Sequence, residues 1–374
     1  MPDNKKHHYV PKFYLKIFSK DEKSISLYNI NNKKKIENGN LRNQCYKDYF
    51  YGKDQILEHA LAGIEANASK LIYQINQQRV LPNKSSADYL FLLLFILIQH
   101  SRTKYSADFL TECMESILKE IITDENDANS ADFLIENIIP NLIGTTIKSY
   151  PLLLDLNMKI LINKTSTEFI TSDNPIVFYN QLLSFQRYQS NTGFSNKGLQ
   201  IFFPLSPSIS IFLYDNNVYR VGAESSLAID ISTLKDVYEL NTLQLCSSLE
   251  NIYFKDSQLD CNALHKKAQP FLRRRKFSTS TFPQPDMNSH SSELIRASRE
   301  DIRTNLSLSF VTLRTSARKW KVEFRKLKYK PVIIDRDPDL VELHQFFLKS
   351  LENHEYNLLD FYNFMKDKMD VQPA

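Results

Sequence analysis

Two stretches, EFITSDNPIVFYN (168–180) and LQIFFPLSPSISIFLY (199–214), decide the fold. Each is a short run of β-branched and aromatic residues bounded by polar residues or Pro, the composition of a buried strand. MKILIN (158–163) before them and NVYRVG (217–222) after them read the same way. So many strands in close succession, with no helix between them, predict an antiparallel or mixed sheet and an α+β rather than an α/β fold.

Outward from this block the character changes. From Asp54 to Ser149 apolar residues recur every three or four positions, as in QILEHALAGIEANASKLIYQI (55–75), and predict helices. YLFLLLFILI (89–98) is apolar on almost every side. Ten residues are too few for the ~20 that span a bilayer, so it reads as a central buried helix capped by Ser85 or Ser86. FLTECMESILKEII (109–122) and FLIENIIPNLIGTTI (133–147) follow, the second broken or kinked at Pro140. The helical half is expected to pack on the sheet. SISLYNI (24–30) alternates like a half-buried strand and runs into asparagine-rich turn material, predicting a hairpin within residues 7–50. A helix is expected over Thr233–Phe254. The polar, Pro-containing KFSTSTFPQPDMNSHSS (276–292) reads as a linker between a core domain, 1–275, and a small basic α+β module, 293–374. In that module KWKVEFRKLKYKPVIID (319–335) alternates like a strand with one cationic face, and LVELHQFFLKSL (340–351) and NLLDFYNFMKD (357–367) read as helices.

The 374 residues carry 47 Lys and Arg against 43 Asp and Glu, but the charge is uneven. Between Lys266 and Lys330 there are 17 basic and 5 acidic residues, a surplus of twelve that leaves the remainder at minus eight. A basic segment of this kind faces a polyanion. Arg273, Arg274, Arg275 and Lys276 form a dense run, and Arg318, Lys319, Trp320, Lys321 and Arg325 interleave cations with an aromatic ring, the pattern of phosphate contact with base stacking. The four cysteines, 45, 113, 246 and 261, are too widely spaced for a paired zinc site and read as reduced thiols of a cytoplasmic protein. The N-terminus has no apolar run of signal-peptide length, so no membrane association is expected. P-loop, GxGxxG, GxSxG and HExxH motifs are absent, and only 7 glycines occur.

Three polar clusters carry chemistry. His7-His8-Tyr9-Val10-Pro11 resembles the paired histidines of His-Me finger nucleases, where one imidazole activates water and another ligates a metal. Such a site also needs a later Asn or His, for which Asn29, Asn31 and Asn32 are candidates; alternatively the pair packs within a turn. Gln99 and Arg102 share one face at the polar end of the apolar helix, suited to a phosphate or to an internal ion pair. Thr171-Ser172-Asp173-Asn174-Pro175 joins two predicted strands, where Asp173 and Asn174 serve either as ligand and base or as turn-forming side chains. Glu58 and Glu65 lie on one helical face.

HHYVPKFYLKIFS, QHSRT, FITSDNPIVFYN and IFFPLSPSISIFL, in this order and spacing, together resemble the bacterial domain-of-unknown-function family 4238 over about residues 5–255. The resemblance brings no settled activity. It implies that the family pattern includes His7, His8, Tyr9, Pro11, Gln99, Arg102, Thr171 to Pro175, Pro204 and Ser206.

Together these readings lead to an expected metal-dependent nuclease or phosphodiesterase, toxin-like or active in anti-phage defence. His7, His8, Gln99, Arg102, Asp173 and Asn174 would be its catalytic set, His8 and Asp173 would bind Mg²⁺ or Mn²⁺, and the basic C-terminal region would bind nucleic acid. One alternative is a non-catalytic nucleic-acid-binding or regulatory protein, working with a protein partner or as a homo-oligomer. Another is an enzyme acting on a nucleotide or other small phosphorylated substrate.

Overall fold

The computed structural model describes residues 5–121, 138–185, 191–255, 258–272, 278–284, 292–298, 302, 304–327 and 334–353. In chain order the helices are α1 (Lys12–Ile17), α2 (Ile56–Gln78), α3 (Ala87–Ser101), α4 (Lys104–Ile121), α5 (Ile138–Lys148), α6 (Leu234–Ser247), α7 (Cys261–Ala268), α8 (Thr315–Lys326) and α9 (Pro338–Glu352). The strands are β1 (Lys6–His8), β2 (Ser24–Asn29), β3 (Lys34–Asn40), β4 (Tyr46–Asp48), β5 (Asn157–Asn163), β6 (Thr171–Ser172), β7 (Val177–Tyr179), β8 (Gln200–Ser206), β9 (Ile209–Tyr214), β10 (Tyr219–Val221), β11 (Ala228–Ile231), β12 (Asn251–Phe254), β13 (Ser278–Gln284), β14 (Ser292–Ser298) and β15 (Val311–Leu313).

The expected α+β fold is the one observed. A five-stranded sheet, ordered β11-β5-β9-β8-β7, is antiparallel except for the parallel β11–β5 pair. Successive residues of a strand face opposite sides, and here both sides are covered. Met158, Ile160, Ile201, Phe203, Leu205, Ile211 and Leu213 point into a core built with α1, α2 and α3. Leu161, Phe202, Phe212 and Tyr214 point into a second core built with α6 and α7. That is why the sequence of β8 and β9 is continuously apolar rather than alternating. The apolar helix α3 is buried as expected, and Ser86 caps it by accepting the Tyr89 N–H at 3.2 Å. Pro140 lies near the first described residue of α5, and the helix continues past it to Lys148. Among the described residues, no helix is long and apolar enough to cross a membrane.

A four-stranded sheet, β3-β2-β12-β6, includes the expected β2–β3 hairpin. Its strand β12 corrects the expectation of one helix over Thr233–Phe254. The helix stops at Ser247, and Asn251–Phe254 becomes a strand paired on both sides, with Ile252, Tyr253 and Phe254 buried in it.

Near the C-terminus the two-residue alternation misleads. Residues 315–326 form α8, because Ala317, Trp320 and Phe324 recur at helical spacing and pack on the second core. Ile302, Leu306, Leu308 and Val311 enter the same core, and β15 pairs with β10. The stretch read as a linker contributes β13 of the β13–β14 hairpin. Helix α9 forms where LVELHQFFLKSL predicted one, whereas NLLDFYNFMKD lies outside the described residues. Arg336, just before α9, is almost wholly buried and pairs with both Asp155 oxygens at 2.5 and 2.8 Å.

Phe203 stands at the centre of the first core, 5.4 Å from the Tyr14 ring and 6.2 Å from Phe95. Truncation by Phe203→Ala is expected to destabilise the fold by about 3–5 kcal/mol in denaturant unfolding, with no measurable loss contradicting this packing.

Candidate functional site

The three clusters meet, but below the surface. Arg102, at the C-terminal end of α3, is completely buried. Its Nε donates to the Tyr51 hydroxyl at 2.9 Å, and Nη2 donates to the His8 carbonyl and to Glu65 Oε1, both at 2.6 Å. Tyr51 in turn donates to the His8 carbonyl at 3.1 Å. One turn back on α3, Gln99 Nε2 donates to the Tyr9 carbonyl at 3.0 Å. The guanidinium and the amide that suited an anion in the sequence reading are thus bound to the backbone of the HHY segment. Arg102 Nη1 and Gln99 Oε1 are buried without a hydrogen-bond partner.

Thr103, the next residue, links this end of α3 to the third cluster through a 3.5 Å contact with Asn174 Oδ1. Asn174 Nδ2 donates to the Ser247 carbonyl and hydroxyl at 3.1 and 3.0 Å. Both Asp173 oxygens accept backbone N–H groups, from Leu249 at 2.7 Å, Glu250 at 2.7 Å and Asn251 at 2.9 Å. These are the amides just past α6, so Asp173 turns the chain from that helix into β12. Burial pushes its carboxyl up to about 6, against the pull of the three donors. Thr171 shares a 2.7 Å hydrogen bond with the Tyr14 hydroxyl, which also donates to the Pro204 carbonyl at 2.6 Å. Tyr14 therefore ties the HHYVP segment to TSDNP and PLSP. The Cys45 thiol donates to the Tyr253 hydroxyl at 3.3 Å, and burial raises its pKa well above the ordinary thiol range.

The two histidines differ. His7 is fully buried, stacked on Tyr51, with Nδ1 accepting the Tyr51 N–H at 3.1 Å. His8 is 8 % exposed and lines a surface depression of about 310 Å³ with Lys5, Lys6, Lys12, Asn40, Arg42 and Asn43. Its Nε2 lies 3.3 Å from the Arg42 carbonyl; a carbonyl only accepts, so that nitrogen carries the proton. Burial first, and then the Lys12 ammonium, push the His8 pKa down to about 4, leaving a neutral ring at physiological pH.

The depression runs into a larger, open groove of about 1,090 Å³ through the shared residues Lys12, Asn40 and Arg42. Lys16, Lys20 and Lys23 line the groove together with Asp21 and Glu22, and Glu65, the partner of Arg102, lies at its wall. Lys16 pairs with Glu22 at 3.2 Å and Lys5 with Asp48 at 3.0 Å. Among the described residues, no carboxylate lies within ion-pair distance of Lys12 or Arg42. These lysines form no compact motif in the sequence, being interleaved with apolar residues and with Asp21 and Glu22; Lys12, Lys16 and Lys20 at four-residue intervals are the available signal.

The basic residues expected to bind nucleic acid divide. Arg273, Arg274, Arg275 and Lys276 lie outside the described residues. On α8, Lys321 donates to the Gln181 carbonyl at 2.7 Å, Arg325 lies over the Phe185 ring, and Arg318 donates to the Leu313 carbonyl. The Trp320 ring is covered by the Lys197 ammonium at 4.4 Å, whereas Lys319 is exposed. His8 and Asp173 belong to no group of three or more His, Cys, Asp or Glu side chains placed to hold a metal among the described residues.

Replacing Arg102 by Met is expected to destabilise the protein by about 2–4 kcal/mol, because the Tyr51, His8 and Glu65 oxygens lose a charged partner. Arg102→Lys should recover only part of this, since one ammonium cannot reproduce the planar fork. Denaturant unfolding of both variants checks the order, and a neutral Arg102→Met contradicts it. The lowered His8 pKa also sets a pH dependence. Its contribution to stability is present above the ordinary imidazole pKa and is lost as pH falls through about 4. Asp173 acts oppositely: its contribution is present below the ordinary carboxylate pKa and is lost as pH rises through about 6. The stability difference between wild type and His8→Gln should therefore shrink by about 2–3 kcal/mol between about pH 7 and pH 4, at ~1.4 kcal/mol per pKa unit. A constant difference would show that His8 is not held neutral.

No curated protein and no solved structure matches the chain. The model of the family described as "Protein of unknown function (DUF4238)" matches residues 6–258, which takes in the HHYVP, QHSRT, TSDNP and PLSP stretches and both sides of their buried network, and the chain belongs to that family.

Proposed function

We propose that this protein binds nucleic acid, or another phosphodiester polyanion, along the groove formed by Lys5, Lys6, Lys12, Lys16, Lys20, Lys23 and Arg42. The observation that carries this reading is the open cationic trough with Lys12 and Arg42 unneutralised. Exposed cations that track a trough release counterions when a phosphate backbone displaces them. An open groove of this volume suits a polymer better than a small phosphorylated substrate, for which an enclosed cavity is the natural site.

A second reading, hydrolysis, is favoured by one observation: His8 lines the groove as a neutral imidazole. The expected nuclease, with Mg²⁺ or Mn²⁺, would then work from His8 alone among the six candidates. His7, Gln99, Arg102, Asp173 and Asn174 are buried and engaged with the backbone around them.

Fluorescence anisotropy with labelled single-stranded RNA and DNA tests the first reading. Wild type should bind with strong salt dependence. The double variant Lys12→Glu, Arg42→Glu should bind at least about tenfold more weakly, with a shallower salt slope by about two counterions. Equal binding by the variant overturns the reading. Incubation of the same oligonucleotides with Mg²⁺ or Mn²⁺ tests the second, which requires cleavage by wild type and none by His8→Ala.

A further inference from the structure

A smaller pocket is built from different elements, independently of the groove and of the reading given to it. It lies at the start of β5 and has a volume of about 260 Å³. Leu81, Pro82, Tyr89, Met158, Tyr214 and Leu227 give it an apolar wall. Lys159 also lines it and is only 3 % exposed.

Lys159 is anomalous for its strand. Its neighbours on β5, Met158 and Ile160, are core residues, and lysine is almost never fully buried without a counter-charge. The Lys159 ammonium donates to the Val221 carbonyl at 2.7 Å and to the Ala223 carbonyl at 2.6 Å. An ammonium has three N–H donors, so one remains. Among the described residues no carboxylate lies within ion-pair distance. Glu224, which also lines the pocket, is held by Arg314 at 2.9 Å and by Arg220 at 3.9 Å. Two neutral carbonyls satisfy donors but do not neutralise a charge, and burial lowers the Lys159 pKa against the weaker, opposing pull of the Glu224 carboxylate beyond ion-pair distance. Lys84 adds a second, exposed cation at the rim.

We propose that this pocket binds a small organic carboxylate with an apolar body, its carboxylate on Lys159 and its body against Tyr89, Met158 and Tyr214. The volume falls below the ~300–1,000 Å³ of pockets for drug-sized ligands, so the ligand is compact. A carboxylate supplies the missing counter-charge and accepts the remaining N–H, and the apolar wall rewards a ring or a branched chain over a bare inorganic anion.

Isothermal titration of the full chain with benzoate tests this, with benzamide as the uncharged isostere and inorganic phosphate as the bare anion. Benzoate should bind saturably at one site, and the other two should not. Lys159→Met should weaken benzoate binding by about tenfold or more, the worth of a hydrogen bond to a charged group. Should that variant fail to fold, Leu227→Trp keeps the test open: Leu227 is 58 % exposed at the pocket, so a larger ring there closes the site without entering the core. It should abolish benzoate binding while leaving the melting temperature unchanged. Absence of saturable benzoate binding at millimolar concentration, equal binding of benzamide, or full binding by Leu227→Trp overturns the proposal.

Discussion

A guanidinium sealed inside the protein holds three parts of the chain in register. Arg102 reaches the carbonyl of His8, the hydroxyl of Tyr51 and the carboxylate of Glu65, and so joins the N-terminal strand, the segment after β4 and helix α2 to the end of α3. Burying this charge is costly in isolation, and the cost is offset in part because Nε and Nη2 together reach three oxygens, while Nη1 reaches none. The planar fork also fixes direction. Three partners at set angles leave the HHY backbone one place to lie, and α1 must then start where Pro11 puts it, with Lys12, Lys16 and Lys20 facing the groove.

This arrangement separates two tasks. The buried residues specify geometry, and the exposed lysines line the trough. Asp173 belongs to the first task. A carboxylate that accepts three backbone amides ends a helix and starts a strand, and with both oxygens occupied it is poorly placed to ligate a cation or abstract a proton. Asn174 and Thr103 extend the same frame across to α3. His8 stands at the boundary, its carbonyl held from inside by Arg102 and its ring in the wall of the groove.

Much of the fold could be read directly. The continuously apolar β8 and β9, the buried α3 and the β2–β3 hairpin follow from local pattern, because one or both faces of each element are covered by neighbours of matching character. Two elements could not be read locally. β12 looks like the continuation of a helix until Asp173, almost eighty residues upstream, takes its preceding amides. Helix α8 carries an alternating pattern that only its packing through Ala317, Trp320 and Phe324 overrules. For the site, the sequence marked residues of the buried network and left their role open. Polar side chains of catalytic type are also those that can satisfy buried backbone groups, and only burial and partners tell the two apart. The groove lysines gave no compact motif at all.

If the proposed function holds, the motif network is a frame and the trough it supports is the surface offered to a polyanion. Hydrogen exchange of the protein, with and without a saturating single-stranded oligonucleotide, addresses this most directly. Slowed exchange is expected over residues 5–23 and 40–43, with little change in the already buried 171–174 segment. Unchanged exchange across the groove, with protection confined to 315–326 or to residues outside it, would show that the trough is not the binding surface.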